Sequence, residues 1–310
     1  MHKLGIIFVG QGSQYPKMGL DFLSKFPSLQ QKVDEASWIL GYDVVEALSS
    51  DEAQLRQTRF TQPLLLLASL FAYEVFKTLN PSISAYAGFS LGEYGAYYAS
   101  GLFSFAQIIR IINYRAIVME ECSQRTNGKM VAVLGMDIPR IEEIAKENQV
   151  YVANYNSPKQ IVVSGPSEAL AKFTQKATFE GAKRVIPLNV SGAFHSPLMN
   201  EAKTKLLTFL KAEEYEAKDQ VIYGNLTGNI INLKRLPNTM AKQLASPVLF
   251  IDMINNMSKD GVSHIVEMGP GNVLSGLIKQ INSQIQVSHF GKLEEYDEIK
   301  GWLTEYGFIK

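Results

Sequence analysis

The chain has 310 residues, about two domains at roughly 150 residues each, and is long enough to bury about 75% of its unfolded surface. Hydrophobic residues make up 46% and charged residues 19%, the balance of an ordinary globular protein rather than a disordered, collagen-like or disulfide-dense one. Lys plus Arg (30) equals Asp plus Glu (30), so no global field draws the chain to nucleic acid or an anionic membrane, and neither is expected as a partner.

The first ten residues carry one lysine and an apolar run too short for a signal segment, so no export signal is expected. Residues 4–9 read as a buried strand feeding Gly10-Gln11-Gly12-Ser13-Gln14, a glycine-rich turn, and then a helix. A dinucleotide fingerprint needs a third glycine at position 15, where Tyr15 stands, so a nucleotide cofactor is not expected. Residues 63–79 are helical; their apolar run holds Ser69, Tyr73 and Glu74 and falls short of the ~20 residues that span a bilayer. Residues 83–89 form a strand that runs into Ser90-Leu91-Gly92-Glu93 and a second helix closing near Gly101. A periodic helix over 105–122 precedes a polar break at 124–129, where a domain boundary fits. The lone cysteine, Cys122, forms neither an internal disulfide nor a cysteine-rich zinc site and points to a reducing, cytoplasmic, metal-free setting.

The next stretch reads strand 130–134, helix 139–148, strand 150–153, strand 160–164, helix 167–180, strand 184–190. Strand-helix-strand twice over is the pattern of a ferredoxin-like α+β unit. It predicts a small domain at 127–190 inserted in a larger α/β domain made of 1–126 and 191–310. The returning part holds a loop at 191–197, a helix at 198–212, a strand at 221–224, and helices at 238–244 and 249–259. A strand at 264–268 then leads into Gly269-Pro270-Gly271 and a last pair of elements. No repeat or low-complexity segment interrupts this order.

Three features carry chemistry. Gly88-Phe89-Ser90-Leu91-Gly92 fits G-x-S-x-G, which sets a serine on a strained strand-to-helix turn with the next amide at a helix N-terminus, ready to meet an oxyanion. Gly92, Gly95, Ala96 and Ala99 recur at helical spacing, and tight packing alone is the competing explanation. A serine nucleophile needs a base. His2 is terminal and His264 and His289 sit in strand-like stretches, which leaves His195, in the loop after a strand, as the candidate. Arg115 falls on the apolar face of its helix, with Ile108, Ile111 and Ile112. A buried guanidinium requires an anion, either an internal glutamate or a substrate carboxylate taken in two-point fashion.

In order, these segments resemble the malonyl-CoA:acyl carrier protein transacylases and the related acyltransferase domains of polyketide synthases. The resemblance runs through Gly10 to Gln14, Thr61-Gln62-Pro63, Gly88 to Glu93, Arg115, and Asn154-Tyr155-Asn156-Ser157-Pro158. It continues through Val190-Ser191-Gly192, Phe194-His195-Ser196, Gln243-Leu244 and residues 267–276. It implies an α/β-hydrolase-like large domain interrupted by the small one, and a ping-pong transfer of malonyl through an ester of Ser90, with His195 as base. The Gln11 and Leu91 amides would form the oxyanion hole. Arg115, Gln62, Phe89, Phe194 and Asn156 would bind substrate, and a backbone carbonyl near Gln243 would orient the histidine, so that no carboxylate is needed. Malonyl-CoA and acyl carrier protein are the implied partners of a monomeric enzyme, coenzyme A entering as substrate thioester and no cofactor being required. Two positions depart from the family: Phe89 stands where histidine is usual and Val9 where proline is usual. An editing acyl hydrolase of the same fold, or a malonyltransferase serving a polyketide cluster, is the alternative.

Overall fold

The computed structural model describes residues 2–217 and 219–309. Its strands are, in chain order, β1 (Lys3–Phe8), β2 (Ile83–Gly88), β3 (Gly128–Leu134), β4 (Tyr151–Ser157), β5 (Gln160–Pro166), β6 (Arg184–Pro187), β7 (Val262–Met268) and β8 (Gln286–Phe290). They form two sheets of opposite kind.

The first sheet has the order β2-β1-β7-β8, and every pairing is parallel. Parallel strands need crossovers, and the helices that supply them cover both faces, which is why β1 reads as an unbroken apolar run. Leu4, Ile6 and Phe8 pack into the large cluster with helices Thr58–Lys77 and Phe105–Thr126, whereas Ile7 joins Ala85 and Ala87 against helix Phe250–Lys259.

The second sheet is antiparallel, in the order β4-β5-β3-β6, with helices Ile138–Glu147 and Ser167–Phe179 between its strands in sequence. This is the ferredoxin-like arrangement the strand and helix pattern predicts. Val131, Val133, Ile161 and Val163 pack with these helices, and the alternate residues Met130, Ala132 and Val162 join the main core. Val248, in the segment that leads into helix Phe250–Lys259, pairs with β4: it donates its N–H to Ala153 O (2.9 Å) and accepts from Tyr155 N–H (3.0 Å).

Several elements differ from the sequence reading. The first helix after β1 begins only at Leu20, and the intervening loop is tied by Lys17 N–H to Leu48 O. Helix Phe105–Thr126 runs to Asn127, whose left-handed φ of 41° ends it, and β3 starts at once, so there is no polar break. Residues 221–224 form no full strand. Ile222 makes a single parallel bridge to Tyr86 before Tyr223 pairs with Ile230 and the chain folds back. Four elements, not two, follow residue 271 among the described residues: helix Val273–Ile281, β8, the 3-10 helix Leu293–Glu295 and helix Tyr296–Glu305. Among the described residues, no helix is long and apolar enough to cross a membrane.

Candidate active site

The site lies at the C-terminal ends of β1 and β2. Ser90 follows β2 with φ at 51°, a left-handed conformation that costs a side-chain-bearing residue about 1–2 kcal/mol. The flanking glycines permit the turn. A Cβ on Gly88 would lie 2.0 Å from the Gly92 carbonyl carbon, and one on Gly92 would lie 2.1 Å from Phe8 O. A Cβ on Gly95 would lie 2.5 Å from the Phe8 ring, so the small residues of helix Gly92–Ala99 also serve its close seat on β1. The packing explanation of the small residues is therefore compatible with a serine poised on the turn.

His195 sits in the loop at 191–197, also with left-handed φ (57°), fixed by its N–H to Leu244 O at 3.1 Å. Its Nε2 is 2.7 Å from Ser90 Oγ, and its Nδ1 is 3.0 Å from Gln243 O. A carbonyl only accepts, so Nδ1 carries the hydrogen and Nε2 is free to receive the serine proton. Burial, then the Arg115 charge, lowers the imidazole pKa to about 4, so the ring is neutral at pH 7. His264 and His289 lie in β7 and β8, away from this pair; His289 instead pairs with Glu295 at 3.1 Å.

Arg115 is 1% exposed and, among the described residues, makes no ion pair. The internal glutamate partner considered from sequence is therefore not seen. Nη1 donates to Gln62 Oε1 (2.6 Å), and Nη2 faces both Gln243 Oε1 (3.3 Å) and Ser90 Oγ (3.4 Å). The guanidinium carbon lies 5.3 Å from the Tyr94 ring centre, a cation–π contact, and Nε has no partner. Gln62 is fully buried behind the guanidinium, so it reaches substrate only through Arg115 rather than lining the cavity.

A cavity of about 230 Å³ opens onto Ser90, walled by Gln11, Phe89, Leu91, Arg115, Asn156, Phe194 and His195. The backbone N–H groups of Gln11 and Leu91 donate to no acceptor among the described residues. Ser90 N–H is taken up by Asn225 Oδ1 at 2.6 Å. Phe89 stacks edge-on to Phe250 (5.2 Å between centroids), and Asn156 Oδ1 is buried without a partner.

Sequence reasoning missed two polar residues, Glu93 and Asn225, and the part played by the Gln243 side chain. Glu93 is 1% exposed and accepts from Tyr97 O–H (3.0 Å) and Gln243 Nε2 (2.6 Å); Asn225 and the Gln243 side chain complete the network. Glu93 does carry a sequence signal, an acid in the first turn of an otherwise apolar helix, three residues after the serine. Asn225 carries none. Among the described residues, no cluster of three or more His, Cys, Asp or Glu could hold a metal ion.

Known proteins resemble the chain over nearly its whole length. The family model described as acyl transferase domain matches residues 6–290. The chain is 37% identical over 310 residues to the malonyl CoA-acyl carrier protein transacylase of Staphylococcus aureus (strain MSSA476), covering 97% of this chain and 99% of that protein. The crystal structure of MCAT from Streptococcus pneumoniae superposes with a TM-score of 0.92 at 34% identity, covering 97% of this chain and 100% of that one. A malonyl-transacylase solved with its type II PKS acyl-carrier protein (PlMCAT:AntF) matches at 0.92 and 32%, covering 96% and 99%. An ordered motif set, a matching fold and full-length likeness lead to one conclusion: the chain belongs to the malonyl-CoA:acyl carrier protein transacylase family.

Proposed function

We propose that the chain transfers malonyl from malonyl-CoA to the phosphopantetheine thiol of acyl carrier protein through an ester on Ser90. His195 Nε2 takes the serine proton as Oγ attacks the thioester carbonyl. The N–H groups of Gln11 and Leu91 receive the oxyanion, and the coenzyme A sulfur leaves with the proton from His195. In the second half the carrier thiol gives its proton to His195 and attacks the ester, and Ser90 leaves with that proton. Arg115 grips the malonyl carboxylate, with Gln62 bracing its fork; Phe194 and Phe89 limit the space beside the acyl group, and Asn156 offers a polar contact along it.

The observation that carries this reading is Arg115: a buried guanidinium beside the nucleophile, with no carboxylate paired directly to its fork among the described residues, is built for an acyl group that brings its own carboxylate. An editing hydrolase of simple acyl chains has no use for it. Coenzyme A enters as a substrate, and no cofactor or metal takes part. We place the enzyme in the cytoplasm as a monomer with a small domain at 127–190 nested in a large one. Its buried, unpaired Cys122 suits a reducing compartment, and its exposed large apolar side chains, such as Trp38 and Phe179, are scattered. Intact-mass measurement after mixing with malonyl-CoA tests the reading. One malonyl adduct per chain, absent in Ser90→Ala, is expected, and rapid release of free acid from acetyl-CoA with no malonyl adduct would overturn it.

A further inference from the structure

We infer that Glu93 is a positioning residue that holds the nucleophile turn and the arginine clamp in register through two intermediaries, Asn225 and Gln243. The inference rests on the reading of Ser90 as nucleophile and Arg115 as clamp. Three donors converge on the buried carboxylate: Asn225 N–H on Oε1 at 2.5 Å, and Tyr97 O–H and Gln243 Nε2 on Oε2 at 3.0 and 2.6 Å. A group asked only to accept is best served by an ionised carboxylate, and an amide in its place would turn a donor toward one of these donors. Burial pushes the Glu93 pKa up to about 7, while these bonds and the Arg115 charge hold it down from going further.

One arm of the network runs through Asn225. Its Oδ1 accepts Ser90 N–H (2.6 Å) and its Nδ2 donates to Gly88 O (2.7 Å), so a single side-chain amide grips the backbone on both sides of the strained turn. This also removes Ser90 N–H from the cavity, leaving the Leu91 amide as the nearby donor. Glu93 fixes where that amide stands by holding the Asn225 backbone.

The other arm runs through Gln243. Its Nε2 donates to Glu93 and to Ser90 O (2.9 Å), which forces Oε1 toward the Arg115 guanidinium. The carboxylate thereby sets which way the Gln243 amide faces. The arrangement gives the buried Arg115 a nearby compensating charge without filling its fork. A direct ion pair would compete with substrate; a glutamine interposed between the two charges does not.

The test measures single-turnover loading of the purified full chain with malonyl-CoA and acetyl-CoA, per loadable serine, together with the melting temperature. The proteins are the unsubstituted chain, Glu93→Gln, Asn225→Ala and the double variant. In Glu93→Gln both loading rates should fall by about 10- to 100-fold, as for a misplaced reacting group, with malonyl falling further because the freed Gln243 amide turns its NH₂ toward Arg115. In Asn225→Ala the two acyl groups should fall equally. The double variant should be no slower than the slower single variant, since both act through one network. Unchanged rates per loadable serine with only a lower melting temperature would make Glu93 a core residue and overturn the inference, as would losses that multiply. If Glu93→Gln does not fold, Asn225→Ala against Asn225→Asp decides. Asp keeps the acceptor for Ser90 N–H and should recover part of the rate, and equal rates for the two would contradict the scheme. Absence of a Ser90 adduct in the unsubstituted chain would instead overturn the functional reading on which all of this rests.

Discussion

Arg115 and His195 owe their behaviour to the same cause, removal from water. For His195, burial and the neighbouring guanidinium lower the imidazole from its ordinary 6.5 to about 4, so it stays a free base well into acid. Ser90 loading should therefore fall in two stages as the pH drops, first through about 7 as Glu93 takes a proton and stops being a pure acceptor, and again with a midpoint near 4 as His195 does; no further fall below about pH 5 would mean that the ring is solvated. The same shift bears on stability. Between about pH 6.5 and 4 the unfolded chain binds more protons at this site, so stability falls with falling pH. Glu93, raised from 4.5 to about 7, acts in the opposite direction: from about pH 4.5 to 7 the folded chain holds more protons, and stability falls as pH rises. Where the two windows overlap they oppose each other, so calorimetric melting temperatures should change little between about pH 4.5 and 6.5, and should shift steeply if only one group titrates. Phe194 is 5% exposed on the cavity wall, and in the proposed reaction it limits the room beside the acyl carbon. Phe194→Ala should raise methylmalonyl loading relative to malonyl by about 10-fold, the discrimination one or two methylene-sized contacts provide. At this scale the sequence was informative where a residue violated its surroundings. Arg115 on an apolar face and Ser90 between glycines both stood out. Glu93 and Gln243 did not show their roles, because their contacts join residues 132 and 150 positions apart and depend on which way one amide faces.

The elements that position these residues follow from a few close approaches. Gly88 and Gly92 let helix Gly92–Ala99 start against the end of β1, and no side chain fits at either position. Gly92→Ala should cost more than about 4 kcal/mol, read as a melting transition displaced by about 10 °C or more or as loss of folded protein. A near-neutral result would mean that the turn is looser than these distances imply. The strand-turn-helix at 83–99 was legible because period, glycines and cap position all agreed. The stretch at 221–224 was not. It has strand composition, but Gly224 N–H bonds to Asn229 O and the chain turns back, so its pairing with the sheet is confined to Tyr86, which donates to Val221 O and accepts from Tyr223 N–H. Propensity describes the residues, and the turn that follows decides the pairing. The loop after β1 escaped for a similar reason, since its glycine-rich turn meets the serine turn rather than launching a helix.

Across the whole molecule, the cavity lies between two sheets of different origin. The face of the antiparallel sheet turned away from its own helices contributes Met130, Ala132, Asn154, Asn156, Gln160 and Val162 to the cavity wall, opposite the serine and its base. Its alternation was readable as a ferredoxin-like unit, but a sequence pattern does not say against what the second face packs. Val248 bonds across this divide in both directions. Val248→Pro removes its N–H, and should raise KM for both substrates several-fold with kcat changed less, alongside a modest drop in melting temperature. A fall in kcat alone would argue that the two halves of the cavity are not aligned by this bridge. Zero net charge excluded a long-range partner field, and the proposed function assigns acyl selection to one buried cation, Arg115. The most direct test is therefore loading of Arg115→Ala with malonyl-CoA and with acetyl-CoA, followed by intact mass. Malonyl loading is expected to fall by about 100-fold or more while acetyl loading holds or rises, as loss of a buried charge pair predicts; equal losses for both acyl groups would show Arg115 to be structural and contradict the account.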